Sequence, residues 1–414
     1  MDTIIRNAII AGREDEGPLD IGIADGRIAT VGPGQPVEPG LSAEAEALDV
    51  GGRLVSPGLI ETHIHLDKTR IMERCGDDLS SPQAAMRRVS EIKSAFTAED
   101  VYERGRQTLE RCILNGATHM RTQVEVDPSV GLRGFEGVKA LAEAYRWAID
   151  LEICVFPQEG LTNYPGTEEL MAEALRNGAA VVGAAPGFDT DRQGQIDRVF
   201  ALAREFDVDI DMHLDFADGP DDPDLDYVCE CTEKEGWGGR ITVGHVTKLA
   251  AMTPETFAEK ARRMAGAGVA LTVLPATDLF LMGRHRQFDT PRGVVPAHKL
   301  LKMGVNCSLS TNNVLNPFTP YGDGSLIRMA NLYANICYAA SGEELQECFE
   351  MLTRRSARLM RIEEYGLEAG APADLVVLDC AHRKDAVAEL AAPLYGFKRG
   401  RRTFTRPPAS LHHP

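Results

Sequence analysis

Eight short apolar runs, each followed by a loop and a stretch with helical spacing, recur through the middle of this 414-residue chain and leave it few folds to adopt. They are Leu59–His65, Thr118–Val126, Glu152–Pro157, Ala180–Ala185, Asp209–Leu214, Arg240–His245, Val269–Leu274 and Val305–Leu309. Most are continuously apolar rather than alternating, as strands covered on both faces must be. Between them, stretches such as EELMAEALRNG and GQIDRVFALAREFD carry their apolar residues on one helical face. Units of this size and number predict an α/β chain folded as a (β/α)8 TIM barrel.

The two ends read differently. TIIRNAII and LDIGIADGRIATVG are β-like, with Asp25-Gly26 as a hairpin signal between apolar runs, and the stretch from Gly32 to Gly40 reads as a loop. Strand character returns at ALDVGGRLVSPG and, near the C-terminus, at YGLEAGAPADLVVLD. Neither piece could bury a core alone. The expected arrangement is one small β-sandwich module built from both termini (1–56 and 366–414) on a barrel spanning 57–365.

Charge narrows the possible partners. A formal net charge of −18 repels nucleic acid and anionic membranes, so neither is an expected partner. No apolar run reaches membrane-spanning length, and MDTIIRNAII lacks the features of a signal peptide. The nine cysteines are scattered, without a C-x-x-C pair; Cys229 and Cys231 sit in a helical stretch. Free thiols in a reducing compartment are expected, hence a cytoplasmic protein.

In a barrel of this kind the site lies at the C-terminal ends of the strands, so the polar residues there matter most. The first run ends in Glu61-Thr62-His63-Ile64-His65-Leu66-Asp67-Lys68. Residues i and i+2 of a strand face one side, so His63 and His65 can share a cation. The fifth run ends near His213 and the sixth at His245, which places four of the ten histidines at three strand ends. Neutral imidazoles suit zinc or iron, and a divalent ion with an open position makes water acidic enough to attack near neutral pH. His119, His285, His298 and His382 have no such placement, and His412 and His413 lie in a Pro-rich tail.

The terminal β-segments, SPGLIETHIHLD, His213, His245 and GAPADLVVLD together resemble the amidohydrolase superfamily over essentially the whole chain. The stretch VFPQEGLTNYPGTEELMAEALRNGAAVVGAAPGF is similar to the cytosine deaminases of that superfamily. The resemblance implies His63, His65 and His213 as ligands of one divalent metal, zinc or iron. It implies His245 beside the attacking water, and Gln158 at the amide-like edge of a heterocycle. Gly187 stands where a bridging lysine would be needed for a second metal. A homo-oligomer is the family habit.

Departures from the cytosine deaminases are specific. Phe216 stands where they have a proton-carrying glutamate, and Ser310-Thr311-Asn312-Asn313 has asparagine at both positions where they have aspartate. Lys68 replaces a threonine, while Phe318 keeps an aromatic position. Lys68, the missing glutamate and Asn313 resemble the N-isopropylammelide amidohydrolases, which nevertheless keep an aspartate at the position of Asn312. Asn312 is therefore expected as an oxygen ligand, with Asn313 and Phe318 on the substrate. Asparagine cannot take a proton, so Asp215, Lys68 and His245 are the candidate proton carriers. The expected activity is metal-dependent hydrolysis of an exocyclic C–N bond, by deamination or dealkylamination, in a pyrimidine- or triazine-like ring. The alternatives are opening of a cyclic amide or ureide, or a ligand-binding barrel impaired by loss of its carboxylates. Cytidine-deaminase chemistry is set aside, because its H-x-E and P-C-x-x-C motifs are absent.

Overall fold

The structure, a computed structural model, describes residues 2–34, 46–76 and 82–412. The loop expected from Gly32 to Gly40 lies outside them from residue 35 on, as does His413. The N-terminal segment supplies five strands: β1 (Thr3–Ile10), β2 (Leu19–Ala24), β3 (Arg27–Gly32), β4 (Glu46–Asp49) and β5 (Leu54–Pro57). The β2–β3 hairpin turns at Asp25 and Gly26, both left-handed (φ 52° and 75°), as a tight primed turn requires. A Cβ on Gly26 would also lie 2.9 Å from the Arg399 carbonyl oxygen, so only glycine fits.

Eight parallel strands follow: β6 (Leu59–Ile64), β7 (Ala117–Glu125), β8 (Asp150–Phe156), β9 (Val181–Ala184), β10 (Asp209–Leu214), β11 (Ile241–His245), β12 (Val269–Val273) and β13 (Cys307–Leu309). Each pairs with its neighbour in chain order, and helices fill the connections. Every residue of β6, β7, β9 and β11 is buried; β9 reads as an unbroken run of small and apolar residues, whereas β6 and β7 carry buried polar side chains, among them Glu61 and Arg121. The ring closes between β6 and the residues just after β13. There Asn312 N donates to His63 O and His65 N donates to Asn312 O, both at 2.9 Å. Below this seam, the Thr62 hydroxyl meets those of Ser308 (2.8 Å) and Ser310 (2.6 Å). Glu61, fully buried, accepts from Thr311 N (3.0 Å) and the Thr311 hydroxyl; burial pushes its carboxyl up to about 7 despite these donors.

The chain then returns to the first sheet through β14 (Leu375–Leu378), β15 (Pro393–Lys398) and β16 (Arg401–Thr405). Strand β14 pairs antiparallel with β5, so both termini share one sheet in the order β16-β15-β14-β5-β1-β2-β3, with β4 on β1. Lys398 clasps this sheet to the barrel: its buried ammonium reaches Asp374 and Asp150 (2.7 Å each) and Thr118 O (3.0 Å). The neighbouring His119 imidazole is pushed down to about 4, by burial first and by the Lys398 charge second. Inside the barrel, Arg121 bridges Glu152 (2.6 Å) and Asp211 (3.1 Å). All nine cysteines are free. Among the described residues no helix is long and apolar enough to cross a membrane.

Candidate metal centre and cavity

His63 and His65 stand at the C-terminal end of β6, both buried, with a bulge in the β6–β7 pairing just before them. Their Nε2 atoms converge on His213 Nε2 from β10, at 3.1 and 3.2 Å. Two nitrogens on a tetrahedral shell of roughly 2.1 Å radius lie roughly 3.4 Å apart, so this spacing fits three ligands on one ion. Burial pushes all three imidazoles below their usual range, which keeps them neutral with a bare ring nitrogen. His63 turns its Nδ1 toward Asp211, 3.4 Å away, the carboxylate that Arg121 also holds. Such a partner leaves Nε2 as the lone-pair donor. His213 lies flat on Phe156, ring centroids 4.5 Å apart.

The donor set offers a fourth atom. Asn312 Oδ1 is buried and has no hydrogen-bond partner, although its backbone closes the barrel. Its φ of 64° is left-handed, a conformation asparagine tolerates and one that collects at functional sites. Three neutral imidazoles and an orphaned buried amide oxygen fit a divalent ion. Gly187 lies in a short 3-10 turn after β9 and offers no side-chain ligand.

His245 stands apart from the three. Its ring centroid is 5.6 Å from that of His213, and its backbone is also left-handed (φ 69°). Nδ1 lies 2.6 Å from Asp278 Oδ1, a wholly buried carboxylate, so Nδ1–H donates there and Nε2 is left as acceptor. Asp278 was not singled out from the sequence. The signal was available: it is an aspartate in the first turn of a short helix, Pro275–Leu281, directly after the seventh barrel strand.

Asp215 corrects an expectation. Strand β10 ends at Leu214, and Asp215 turns left-handed (φ 50°), which breaks the alternation that would have set it beside His213. Its buried carboxylate accepts from Asp224 N (2.8 Å) and Leu225 N (3.1 Å) and faces Lys248 at 3.5 Å. It anchors the start of the helix Leu225–Glu235 and does not line the cavity. It is not placed to carry a proton for a substrate.

The cavity in front of the histidines spans about 420 Å³ of empty space, part of it open solvent. It is lined by His65, His213, His245 and Asn312 together with Lys68, Gln158, Asn313 and Phe318. Phe188, Phe216, Thr277 and Leu281 complete it. Phe216 packs on the His245 ring at 4.6 Å and brings no charge.

Besides His65, His213, His245, Thr277 and Asn312, the polar groups lining this space are Lys68, Gln158 and Asn313, and each presents a donor. Lys68 is buried, paired with Glu125, and donates to Gln158 Oε1 at 3.1 Å. Its ammonium also lies over Phe156 (5.2 Å) and Phe318 (5.1 Å). Lys68 takes one lone pair of the Gln158 oxygen, which orients the amide and leaves its NH2 for a ligand. Asn313 is oriented likewise: its Oδ1 accepts from Asn316 Nδ2 at 2.7 Å, which leaves its own NH2 free. Glu125 also went unnoticed in the sequence, where it reads as one residue of a strand. Burial raises its carboxyl, but Lys68 and Lys93 outweigh that and leave it below its usual range.

Barrel and histidine centre together define a metal-dependent hydrolase. The profile of the amidohydrolase family matches residues 135–404, and the chain belongs to that family. It is 28% identical to the N-isopropylammelide isopropyl amidohydrolase of Pseudomonas sp. (strain ADP), over 97% of this chain and 96% of that one. Among solved structures it is similar to 5-methylcytosine deaminase from Klebsiella pneumoniae liganded with 5-fluorocytosine (TM-score 0.93, 28% identity, 99% of both chains). It is also similar to N-isopropylammelide isopropylaminohydrolase from Burkholderia multivorans (TM-score 0.84, 26% identity, 97% of this chain and 98% of that one). The protein is thus an enzyme of a family that hydrolyses C–N bonds.

Proposed function

We propose that the protein removes ammonia or an amine from an exocyclic C–N bond of a pyrimidine- or triazine-like ring that carries oxo groups. The observation behind this reading is the set of three donors that line the cavity beside the histidine centre. The Lys68 ammonium, Gln158 NH2 and Asn313 NH2 face the space in front of the histidine centre, and among the described residues no carboxylate lines it. A ring offering carbonyl oxygens or a ring anion satisfies all three, whereas an amino-rich ring would leave buried donors unpaired.

His63, His65 and His213, with Asn312 as the oxygen donor, would hold one divalent ion, zinc or iron, which supplies Lewis acidity and an acidified water as nucleophile. His245, held by Asp278 with Nε2 bare, takes the proton lost by the attacking water. It then returns that proton to the departing nitrogen as the C–N bond breaks. Asp278 stabilises the imidazolium between these two transfers. This dyad does the work that neither Phe216 nor Asn312 can do. Lys68, Gln158 and Asn313 hold the charge that builds on the ring oxygens as water adds, and Phe188, Phe216 and Phe318 keep bulk water out.

The test is amine release by metal-loaded protein from aminopyrimidines and aminotriazines, with and without oxo substituents and N-alkyl groups, followed by product mass. Release confined to oxo-bearing rings supports the reading. A product heavier by one water with no amine expelled identifies ring opening instead. No turnover of any ring by metal-replete protein refutes it.

A further inference from the structure

Behind the cavity wall lies a second lysine that the reaction does not touch. Lys93 ends the helix Pro82–Lys93 and is almost wholly buried. Its ammonium meets three carboxylates: Asp127 Oδ2 at 2.5 Å, Glu125 Oε2 at 3.4 Å, and Glu159. Glu125 is therefore shared. One oxygen faces Lys68, which lines the cavity, and the other faces Lys93, which does not. Glu159, next to Gln158 in the chain, also accepts from Ser90 Oγ of the same helix at 2.5 Å. The charges thus run inward from the surface as Glu159, Lys93, Glu125 and Lys68. Asp127 lies beside Lys93, with its Oδ1 on the backbone N–H groups of Ser129 (2.8 Å) and Val130 (3.2 Å).

We propose that Lys93 is a specificity-determining positioning residue: by holding half of Glu125, it sets how much positive charge Lys68 presents to a ring in the cavity. This deepens the reading above and rests on it. A buried carboxylate shared between two ammonium groups neutralises neither fully. Remove Lys93, and the whole of Glu125 is directed at Lys68, which weakens the cavity's hold on an anionic ring. Remove the Asp127 charge, and Lys93 bears more fully on Glu125, which strengthens it. Electrostatics therefore assigns opposite signs to two changes in one cluster, whereas a merely structural role would make both harmful.

The experiment is calorimetric binding to metal-loaded protein of barbiturate, an oxo-rich six-membered ring that is an anion at neutral pH, against uncharged uracil. The readout is the ratio of the two affinities. Lys93→Met is expected to lower the ratio about tenfold. Lys93→Arg should stay within about threefold of the parent. Asp127→Asn, whose amide oxygen keeps the two backbone contacts, should raise the ratio. Lys68→Met should abolish the preference for barbiturate. If Lys68→Met abolishes it while Lys93→Met and Asp127→Asn leave the ratio unchanged or move it the same way, this inference is overturned and the donor-cavity reading stands. If the preference survives Lys68→Met, the reading of the cavity itself falls, and this inference with it. Should Lys93→Met fail to fold, Lys93→Arg and Asp127→Asn carry the test: a lower ratio in Asp127→Asn overturns the inference.

Discussion

Replacing Asp278 by asparagine removes one negative charge from behind His245 and changes little else. The side chains are nearly isosteric, and position 278 is wholly buried. Asp278 Oδ2 also takes Leu274 N at 3.3 Å, a contact that the asparagine can keep with its oxygen. What changes is the partner of His245 Nδ1, now 2.6 Å from Oδ1. With a carboxylate there, a proton on Nε2 creates an ion pair. Two unit charges about 4 Å apart at an effective dielectric constant of about 20 attract by about 4 kcal/mol. Losing that from the transition state slows the reaction about 10³-fold. An asparagine NH2 turned toward Nδ1 would also favour the tautomer with its proton on Nε2, the wrong one for a base, as in the Ser-His-Asp enzymes. The assay is kcat on an amine-releasing ring, with metal content by elemental analysis and a thermal melt alongside. Expected are a kcat down about 10³-fold, unchanged metal, and stability within about 1 kcal/mol of the parent. A fall of less than tenfold in fully metallated protein would refute the dyad as proton carrier.

Three further outcomes follow from the same geometry. His213→Ala removes the nitrogen on which His63 and His65 converge, so the purified protein should hold little metal, and a chelator should no longer lower its melting temperature. In the parent, chelation from an excess of 100–1,000 times Kd should cost about 3–4 kcal/mol, read by denaturant unfolding. Asn312→Asp keeps the left-handed backbone at φ 64° and adds a charged ligand, so metal should be held more tightly in competition with a chelator, whereas Asn312→Ala should lose both metal and stability. Finally, the buried His119 is neutral in the folded state well below its usual range, down to about 4. Its contribution is fully present above the unfolded value near 6.5 and is lost as pH falls from there toward 4, because the unfolded chain takes up the proton first. Between pH 7 and 5 this is worth about 2 kcal/mol. The stability of His119→Gln should be flatter with pH by that amount, and an identical slope would contradict it.

The barrel was legible because a strand covered on both faces needs one apolar residue after another, and such runs survive in the sequence whatever the loops do. Errors fell at the strand ends, where backbone leaves the ladder. His65 lies just past β6, and Asp215 was misplaced because a period of two holds only until φ turns positive. The gathering of His63, His65, His213, His245, Lys68, Gln158, Asn312, Asn313 and Phe318 at one mouth was readable from strand ends and from resemblance. Asp278 was not, since it reaches the site from a helix. Nor was Glu125, whose part depends on which lysines surround it. The orientations of the Gln158 and Asn313 amides follow from Lys68 and Asn316, partners that no local pattern names.

The seam between β6 and Asn312 has a consequence for biogenesis. Thr62 and Ser310, which meet across it, are 248 residues apart in the chain. His63 and His65 leave the ribosome early and wait for almost the whole barrel before Asn312 arrives to join them. Contacts that distant in sequence are the slowest to form. A cation bound across this joint, as proposed above, would act as a fastener on the last edge to be sewn, favouring the shut ring over one with a free first strand. Metal uptake by newly made protein should therefore be a late event, and a chain cut short before β13 should remain an open sheet with an exposed edge. Occupancy of the proposed centre would report two things at once: that the enzyme is loaded, and that its barrel is closed.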